Sequence, residues 1–264
     1  MTALALPAPR LVGADILKLR KRYGLAVVVG LLTVGAVVVT YTVIELLHLT
    51  SPATHGPAGG VDNVGHGMFL VAALGAAAAA IVGSTVGAGD RDAGVYRDLA
   101  VTGRSRVSLY LARIPAGFAF LFPFVAIAYT VTAVVGVAFA GSNPVPGTRM
   151  LVLGGLWTVL QIAFYYLLAL GIACIVGSRS YTIAIVLAWR LALTPLIASV
   201  SALGIVRELV PAVGLQKLAP AGLEMGVRMF PRVGISLGAT VAVLVVWTGL
   251  ALVLGGWRDA TRDA

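Results

Sequence analysis

The stretch GLAVVVGLLTVGAVVVTYTVIELL, residues 24–47, decides the fold class and contains a single charged residue, Glu45. A helix needs about 20 apolar residues to cross the roughly 30 Å hydrocarbon core of a bilayer. Backbone polar groups in that core must be paired within the chain, so the stretch is predicted to be a transmembrane helix. It is longer than the apolar core of a signal peptide, about 7–15 residues, and no cleavage site of small residues follows it.

Five more apolar stretches follow the first, and the composition of the whole chain agrees with them. Of 264 residues, 59% are hydrophobic and 11% are charged, with a mean hydropathy of +1.00. Soluble domains are about 25% charged. The sequence therefore predicts an all-α integral membrane protein that forms a single transmembrane domain over residues 1–264. The six predicted spans are 24–47, 66–89, 112–140 (broken by Pro115 and Pro123), 150–177, 181–205 and 233–256.

The lysines and arginines are distributed unevenly between the segments that separate the spans. Thirteen of them lie in residues 1–23, 90–113, 178–182 and 257–264, whereas the remaining non-membrane segments hold five. The positive-inside rule then predicts a multi-pass protein of the cell (inner) membrane with both termini in the cytoplasm. The same bias accounts for most of the net charge of +9 and for attraction to anionic membrane lipids. Nucleic acid is not an expected partner, because no basic and aromatic recognition module is present.

Two segments outside the spans have helical patterns of their own. The N-terminal segment 1–23 places Leu11, Val12, Ile16 and Leu19 near one helical face, which suits a helix lying in the membrane interface. A basic flank that only fixes the topology is the alternative. Segment 206–232 is apolar and contains three prolines. It is predicted to lie externally and to form short helices that dip into the membrane like a re-entrant segment, before the last span.

The sequence lacks the patterns that ATP hydrolysis, metal binding or ion coupling would need. Its one G-x-S-x-G match, at Gly234, Ser236 and Gly238, begins an apolar helix where such residues favour close packing. None of the three lysines follows a glycine, so the phosphate-binding pattern G-x-x-x-x-G-K-[ST] is absent. The spacing of His48, His55 and His66 matches no zinc signature, and no metal site is expected. Of the ten acidic residues, only Glu45 lies within a predicted span, so an ion-coupled carrier lacks its usual carboxylate relay. The chain is expected to be no enzyme and to hold no cofactor.

One charged residue, Arg190, lies about nine residues inside the fifth predicted span. An arginine near the centre of a transmembrane helix costs about 2.5–3.5 kcal/mol on insertion scales. Its side chain either extends to the cytoplasmic surface or faces the translocation path or another subunit. The sequence leaves these alternatives open.

The stretch GDRDAGVYRDLAVTGRSRVSLYLAR, residues 89–113, carries five arginines and three aspartates. Residues 90–111 form the one substantial cytoplasmic loop between predicted spans. A short helix starting near Asp90 and Asp92 would place these carboxylates at its positive end. Topology explains the arginines, but the order of the other residues favours a contact with another protein.

The order of residues in this loop resembles that of a known class of membrane proteins. Residues 89–113 contain, at the spacing of that class and with no insertion or deletion, Asp90, Asp92, Gly94, Leu99, Thr102, Ser105, Arg106 and Arg113. This run is similar to the first cytoplasmic loop in the membrane permeases of ABC transporters of the type-2 exporter class. It departs from their pattern at Ala93, where an acid is usual, and at Gly103, where proline is usual. The basic N-terminal segment, the six spans, Trp189 with Pro195 and the apolar pieces before the last span also resemble this class.

The resemblance implies a function and a set of partners. In this class the loop forms a coupling helix that contacts a separate ATP-binding subunit, which holds the ATP and magnesium. Two permeases, identical or different, and two ATPases move a substrate that is often amphipathic or lipid-like. The coupling residues implied here are Asp92, Gly94, Leu99, Thr102, Ser105 and Arg106. The alternatives are a membrane scaffold or regulator that transports nothing, and a self-contained channel or carrier. The sequence names no substrate and fixes no direction of transport.

Overall fold

The computed structural model describes residues 9–92, 94, 105–220 and 233–261, and all regular structure within them is helical. Six helices are long and apolar enough to cross a membrane, which confirms the predicted all-α membrane protein with six spans. A short helix, α1 (Pro9–Arg20), precedes them. The six are α2 (Tyr23–Thr50), α3 (Val61–Asp92), α4 (Arg106–Ala138), α5 (Thr148–Val176), α6 (Arg179–Ser199) and, after the short α7 (Pro211–Lys217), α8 (Leu237–Thr261).

Successive spanning helices run in opposite directions. Side-chain contacts bring together the end of α3 at Asp90, the first turns of α4 at Arg113 and the end of α8 at Asp259. We call this side of the bundle the charged end. The backbone N–H of Arg179, at the start of α6, donates to the Asp92 carboxylate at the same end, over 3.2 Å.

Helices α3 and α5 form the centre of the bundle. In the most apolar 18-residue part of each spanning helix, 67% of the residues of α3 and 61% of those of α5 are buried. In the other four helices the buried share is 17–28%. The two helices approach closely because glycines of α3 face the α5 backbone. A Cβ atom built on Gly83 would lie 2.6 Å from the carbonyl oxygen of Tyr166, and one on Gly87 would lie 2.8 Å from that of Leu170. Small residues at such positions are the usual basis of close helix packing in membranes.

The two prolines of the third span do not interrupt it. Pro115 and Pro123 both lie inside the continuous helix α4, whereas the sequence predicted a broken run. A proline removes one backbone N–H from the helix, and in membrane proteins neighbouring groups satisfy the affected carbonyls. Next to Pro115, the Tyr166 hydroxyl of α5 donates to the Arg113 carbonyl over 2.7 Å and so holds α4 against α5 at this turn. Both prolines are accommodated within an unbroken helix.

The fifth span ends earlier than expected, and short helical segments follow it. Helix α6 ends at Ser199, six residues earlier than predicted, and a 3-10 helix, Ser201–Leu209, follows it. The short helix α7 is covered by protein, because Trp157 of α5 donates its indole N–H to the Leu215 carbonyl over 2.7 Å. This agrees with the predicted short helical pieces, although residues 221–232 lie outside the described part of the chain.

Candidate functional site

The residues implied to couple to an ATPase flank the connection between α3 and α4. Leu99 and Thr102 lie outside the described residues. Gly94 has a φ of +72° and donates its N–H to the Arg91 carbonyl over 2.9 Å. Glycine adopts this left-handed conformation without strain, so Gly94 turns the chain after α3. Its role in the described structure is therefore a local backbone one.

Asp90 and Asp92 belong to the last turn of α3, which differs from the predicted helix starting near them. The carboxylates therefore lie at the negative end of a helix dipole, where negative charge is disfavoured. Asp92 is exposed and accepts the Arg179 N–H, whereas Asp90 is 7% exposed. The contacts that Asp90 makes with basic side chains offset its unfavourable position.

Ser105 and Arg106 begin the next spanning helix. Ser105 is the N-cap of α4, and its hydroxyl oxygen accepts the backbone N–H of Ser108 over 3.1 Å. Such a cap satisfies one of the free N–H groups of the first turn and is worth about 1 kcal/mol. Arg106 donates from Nη1 to the Ala260 carbonyl at the end of α8, over 3.3 Å. The Ser-Arg pair thus fixes where α4 starts and holds it against the last span.

A buried group of charged side chains lies beneath this start, and we call Lys18, Asp90, Arg91, Arg113 and Asp259 the charged cluster. Arg113, 4% exposed, lies between two carboxylates. Its Nη1 is 3.3 Å from Asp259 Oδ1, and its Nη2 is 3.7 Å from Asp90 Oδ2. Arg91 Nη2 approaches the same Asp259 oxygen to 2.6 Å, and the Lys18 ammonium contacts Asp90. The cluster therefore joins α1, α3, α4 and α8.

Helix α5 contributes backbone and thiol contacts to the charged cluster. Arg91 Nη1 donates to the Cys174 carbonyl over 3.3 Å, and Arg113 Nη1 lies 3.9 Å from the Cys174 thiol. Because Cys174 is fully buried, its thiol is closed to solvent. Five helices thus meet at the charged cluster, two of which lead directly into the connection between α3 and α4.

A third acid, Asp15, lies beside the charged cluster and lines a cavity of about 20 Å³ together with Lys18, Asp90 and Arg113. A space of this size holds about one water molecule. Burial raises the pKa of the Asp15 carboxyl above its usual value of 3.8. Lys18 and Arg113 oppose this rise, whereas the negative charge of Asp90 adds to it. Folding therefore disfavours the ionised form of Asp15.

The geometry of the charged cluster suits mechanical coupling between helices. In the described ranges, no three His, Cys, Asp or Glu side chains converge in a way that could hold a metal ion. Ion pairs between helices instead fix the relative positions of their ends. A movement at the connection between α3 and α4 would reach α1, α5 and α8 through the charged cluster.

Arg190, the other predicted site residue, turns inward instead of extending to the charged end. Its side chain is 6% exposed, and its guanidinium carbon lies 4.5 Å from the centre of the Tyr165 ring on α5. Arg190 Nη2 donates to the Ala72 carbonyl of α3 over 3.4 Å. The structure thus places the arginine between α6 and the two central helices, far from the charged cluster.

The sequence does not predict that the five residues of the charged cluster lie together. Arg113 was noted for its place in the loop pattern, and Lys18 and Asp259 were assigned to flanking segments. An aspartate within the last turn of an apolar helix, as at Asp259, is the local signal that a partner is needed. Which arginine supplies the partner is decided by the fold.

No family model matches the chain, and a search of curated proteins finds no sequence similar to it.

Proposed function

We propose that this chain is the membrane permease subunit of an ATP-driven exporter of the type-2 ABC class. In this proposal it forms a translocation path for an amphipathic or lipid-like substrate and pairs with a second permease, identical or different. A separate subunit binds ATP and magnesium. Both termini and the charged end face the cytoplasm, in agreement with the excess of lysine and arginine there.

The observation that carries the proposal is the placement of the charged cluster at the connection between α3 and α4. Gly94 ends one helix in a left-handed turn, and Ser105 caps the next. Immediately behind them, Asp90 and Arg113 tie both helices to α1 and α8. A partner that pushes on this connection would move several spans together, which is what coupling to an ATPase requires.

The lack of an energy source within the chain supports the same proposal. The sequence has no P-loop lysine, and the acids of its spanning helices lie near the helix ends. Transport against a gradient would then need a separate subunit. A scaffold that transports nothing would not need the loop residues in the order found here.

The first experiment is purification of the tagged chain from its own host in mild detergent, followed by an ATPase assay. We expect a co-purifying subunit with Walker motifs and vanadate-sensitive ATPase activity. A homogeneous chain with no such subunit, under conditions that keep known ABC complexes intact, would contradict the proposal.

Charge reversal at the loop tests the coupling role directly. Arg106→Glu should leave the chain inserted and abolish co-purification of the ATPase or its stimulation by substrate. Arg149→Glu is the matched control, because Arg149 is an exposed arginine in the first turn of another spanning helix, α5. Leu99→Glu adds a variant in the loop itself, since Arg106 also contacts Ala260 within the chain. Normal ATPase binding by both loop variants would remove this role.

A further inference from the structure

Arg190 is a buried cation with unused hydrogen-bond donors. Of the five N–H bonds of its guanidinium, the described structure gives a partner only to Nη2, at the Ala72 carbonyl. Nε and Nη1 are buried and have no hydrogen-bond partner among the described residues. A buried charge without a counter-charge is strongly destabilising. An arginine kept in such a place therefore indicates a group that pairs with it at another stage.

A second buried donor lies one turn further along the same helix. The Thr194 side chain is fully buried, and its Oγ1 likewise has no hydrogen-bond partner within the described residues. Arg190 itself lies in a π-helical segment of α6, Trp189–Leu193, which ends just before Thr194. Pro195 has no N–H to offer the Leu191 carbonyl, which accounts for the π-helical turn. Such π-helical turns are often found at functional sites.

The depth of the site excludes a counter-ion from the spanning helices, all of which the structure describes. Arg190 is eleven residues from the start of α6, about 16 Å along the helix, or half of the hydrocarbon core. Every carboxylate in a spanning helix lies within six residues of a helix end: Glu45, Asp62, Asp90, Asp92 and Asp259. A second copy in the same orientation has its acids at these same depths. No carboxylate in the described part of the chain pairs with Arg190, and this favours an anion that comes from another molecule.

We infer that Arg190, with Thr194, binds the phosphate or carboxylate group of an amphipathic molecule at mid-depth in the bundle. Charge-assisted hydrogen bonds to arginine are the strong ones, and arginine suits phosphate and carboxylate alike. The Tyr165 ring against the guanidinium holds it in position and leaves its N–H groups in the plane free for a ligand. The anionic group would meet a fixed positive charge where the bilayer opposes its passage most. The inference rests on the proposed exporter function, for which it names the substrate class.

The test measures ligand binding to the purified chain without any ATPase, by native mass spectrometry from detergent. The probes are oleoyl lysophosphatidate, oleate and uncharged monoolein, which share one acyl chain. The wild-type chain should bind both anionic probes in preference to monoolein. Arg190→Gln should reduce that preference about tenfold or more, the loss expected when charge-assisted hydrogen bonds disappear. Thr194→Val should reduce it by a smaller factor.

Arg149→Gln removes the same charge from an exposed position and should keep the preference. No preference in the wild type, or an equal loss in Arg149→Gln and Arg190→Gln, would overturn the inference. Inorganic phosphate should not compete with lysophosphatidate, because the site lies at mid-depth in the bundle, where the detergent micelle covers it. Effective competition would instead indicate a site open to water and would overturn the amphipathic assignment.

A folding defect in Arg190→Gln would be detected by size-exclusion chromatography, and Arg190→Lys then replaces it. Lysine keeps the charge with fewer hydrogen-bond donors. The preference for the anionic probes over monoolein should therefore be smaller than in the wild type but still present. An undiminished preference in a folded Arg190→Lys protein would place the anion elsewhere. Since no ATPase enters this assay, Arg190-dependent binding in a chain that recruits no ATPase would refute the exporter and keep the site. A chain that recruits an ATPase but shows no Arg190-dependent binding would refute only the site.

Discussion

Arg113 Nη1 lies 3.3 Å from Asp259 Oδ1, and this contact joins the third span to the last across 146 positions of sequence. Asp259 is fully buried, and Arg113 is 4% exposed. The same carboxylate oxygen accepts from Arg91 over 2.6 Å. A single aspartate therefore holds two arginines, one from each helix that borders the connection between α3 and α4.

Replacing Asp259 by asparagine should destabilise the protein severely. The change leaves Arg91 and Arg113 without their shared counter-charge, and breaking a buried ion pair costs about 3–5 kcal/mol. Thermal unfolding in detergent measures the effect. Asp92→Asn is the control, because Asp92 is exposed and its one described contact is with a backbone N–H. Equal melting temperatures for the two variants would contradict the central place given to Asp259.

The stability contribution of Asp15 should depend on pH in the direction set by its raised pKa. Burial makes the ionised form unfavourable in the folded state, so wild-type Asp15 destabilises the fold at neutral pH. Asp15→Asn should then be more stable than the wild type at pH 7. As the pH falls through the raised pKa toward 3.8, the wild-type carboxyl gains its proton and the difference between the two proteins should shrink. Melting curves of both proteins between pH 4 and 7 check this.

A stability difference of the opposite sign between Asp15→Asn and the wild type would also be informative. If Asp15→Asn is less stable at pH 7, attraction to Lys18 and Arg113 outweighs burial, and Asp15 belongs energetically to the charged cluster. The comparison uses the difference between the two proteins, which cancels contributions common to both.

The six spans could be predicted from sequence because their signal is local. Residues 24–47 were predicted, and the helix runs from Tyr23 to Thr50. Helix ends were missed where charged residues continue a helix: α3 reaches Asp92, whereas the prediction stopped at 89. In the sequence alone, charged residues after an apolar run indicate a loop. The ion pairs that allow these residues to stay helical and buried are formed only in the fold.

For the site residues too, the sequence predicts the position along the chain, whereas the contacts are formed only in the fold. The presence of Arg190 inside a span follows from the sequence, but the direction of its side chain depends on Tyr165 and Ala72, which lie on other helices. Likewise, the sequence places Arg113 after the loop and Asp259 after the last span, and no local pattern pairs them. Gly94 was assigned by resemblance to a partner contact, while its backbone conformation gives an independent reason for glycine.

Substituting Gly83 by alanine should disrupt the centre of the bundle. The added Cβ would lie 2.6 Å from the Tyr166 carbonyl oxygen and 2.9 Å from Ala169 Cβ, so α3 and α5 must separate. Overpacking of this kind typically costs about 1–3 kcal/mol. Gly249→Ala in α8 is the matched control, because nothing lies within 4 Å of its built Cβ. It should be neutral or slightly stabilising, since alanine favours helix more than glycine does.

Thermal unfolding of the two alanine variants separates packing from helix propensity. Destabilisation by Gly249→Ala as large as that by Gly83→Ala would mean that the α8 face around Gly249 is also closely packed, for example against a second subunit. In that case the variant should also lower the oligomer fraction in size-exclusion chromatography.

The orientation of the chain can be tested with single introduced cysteines. Cys174 is fully buried, so it should not react with a maleimide that cannot cross membranes. Ala53→Cys lies in the exposed connection between α2 and α3, and Ala14→Cys lies on the exposed side of α1, near the charged end. With the charged end in the cytoplasm, intact cells should label Ala53→Cys, and Ala14→Cys should react only after the membrane is permeabilised. Wild-type protein is the control for the native thiol. The reverse pattern would place the charged end outside the cell, where no cytoplasmic ATPase could reach Gly94 or Arg106, and the exporter proposal would fail together with the topology.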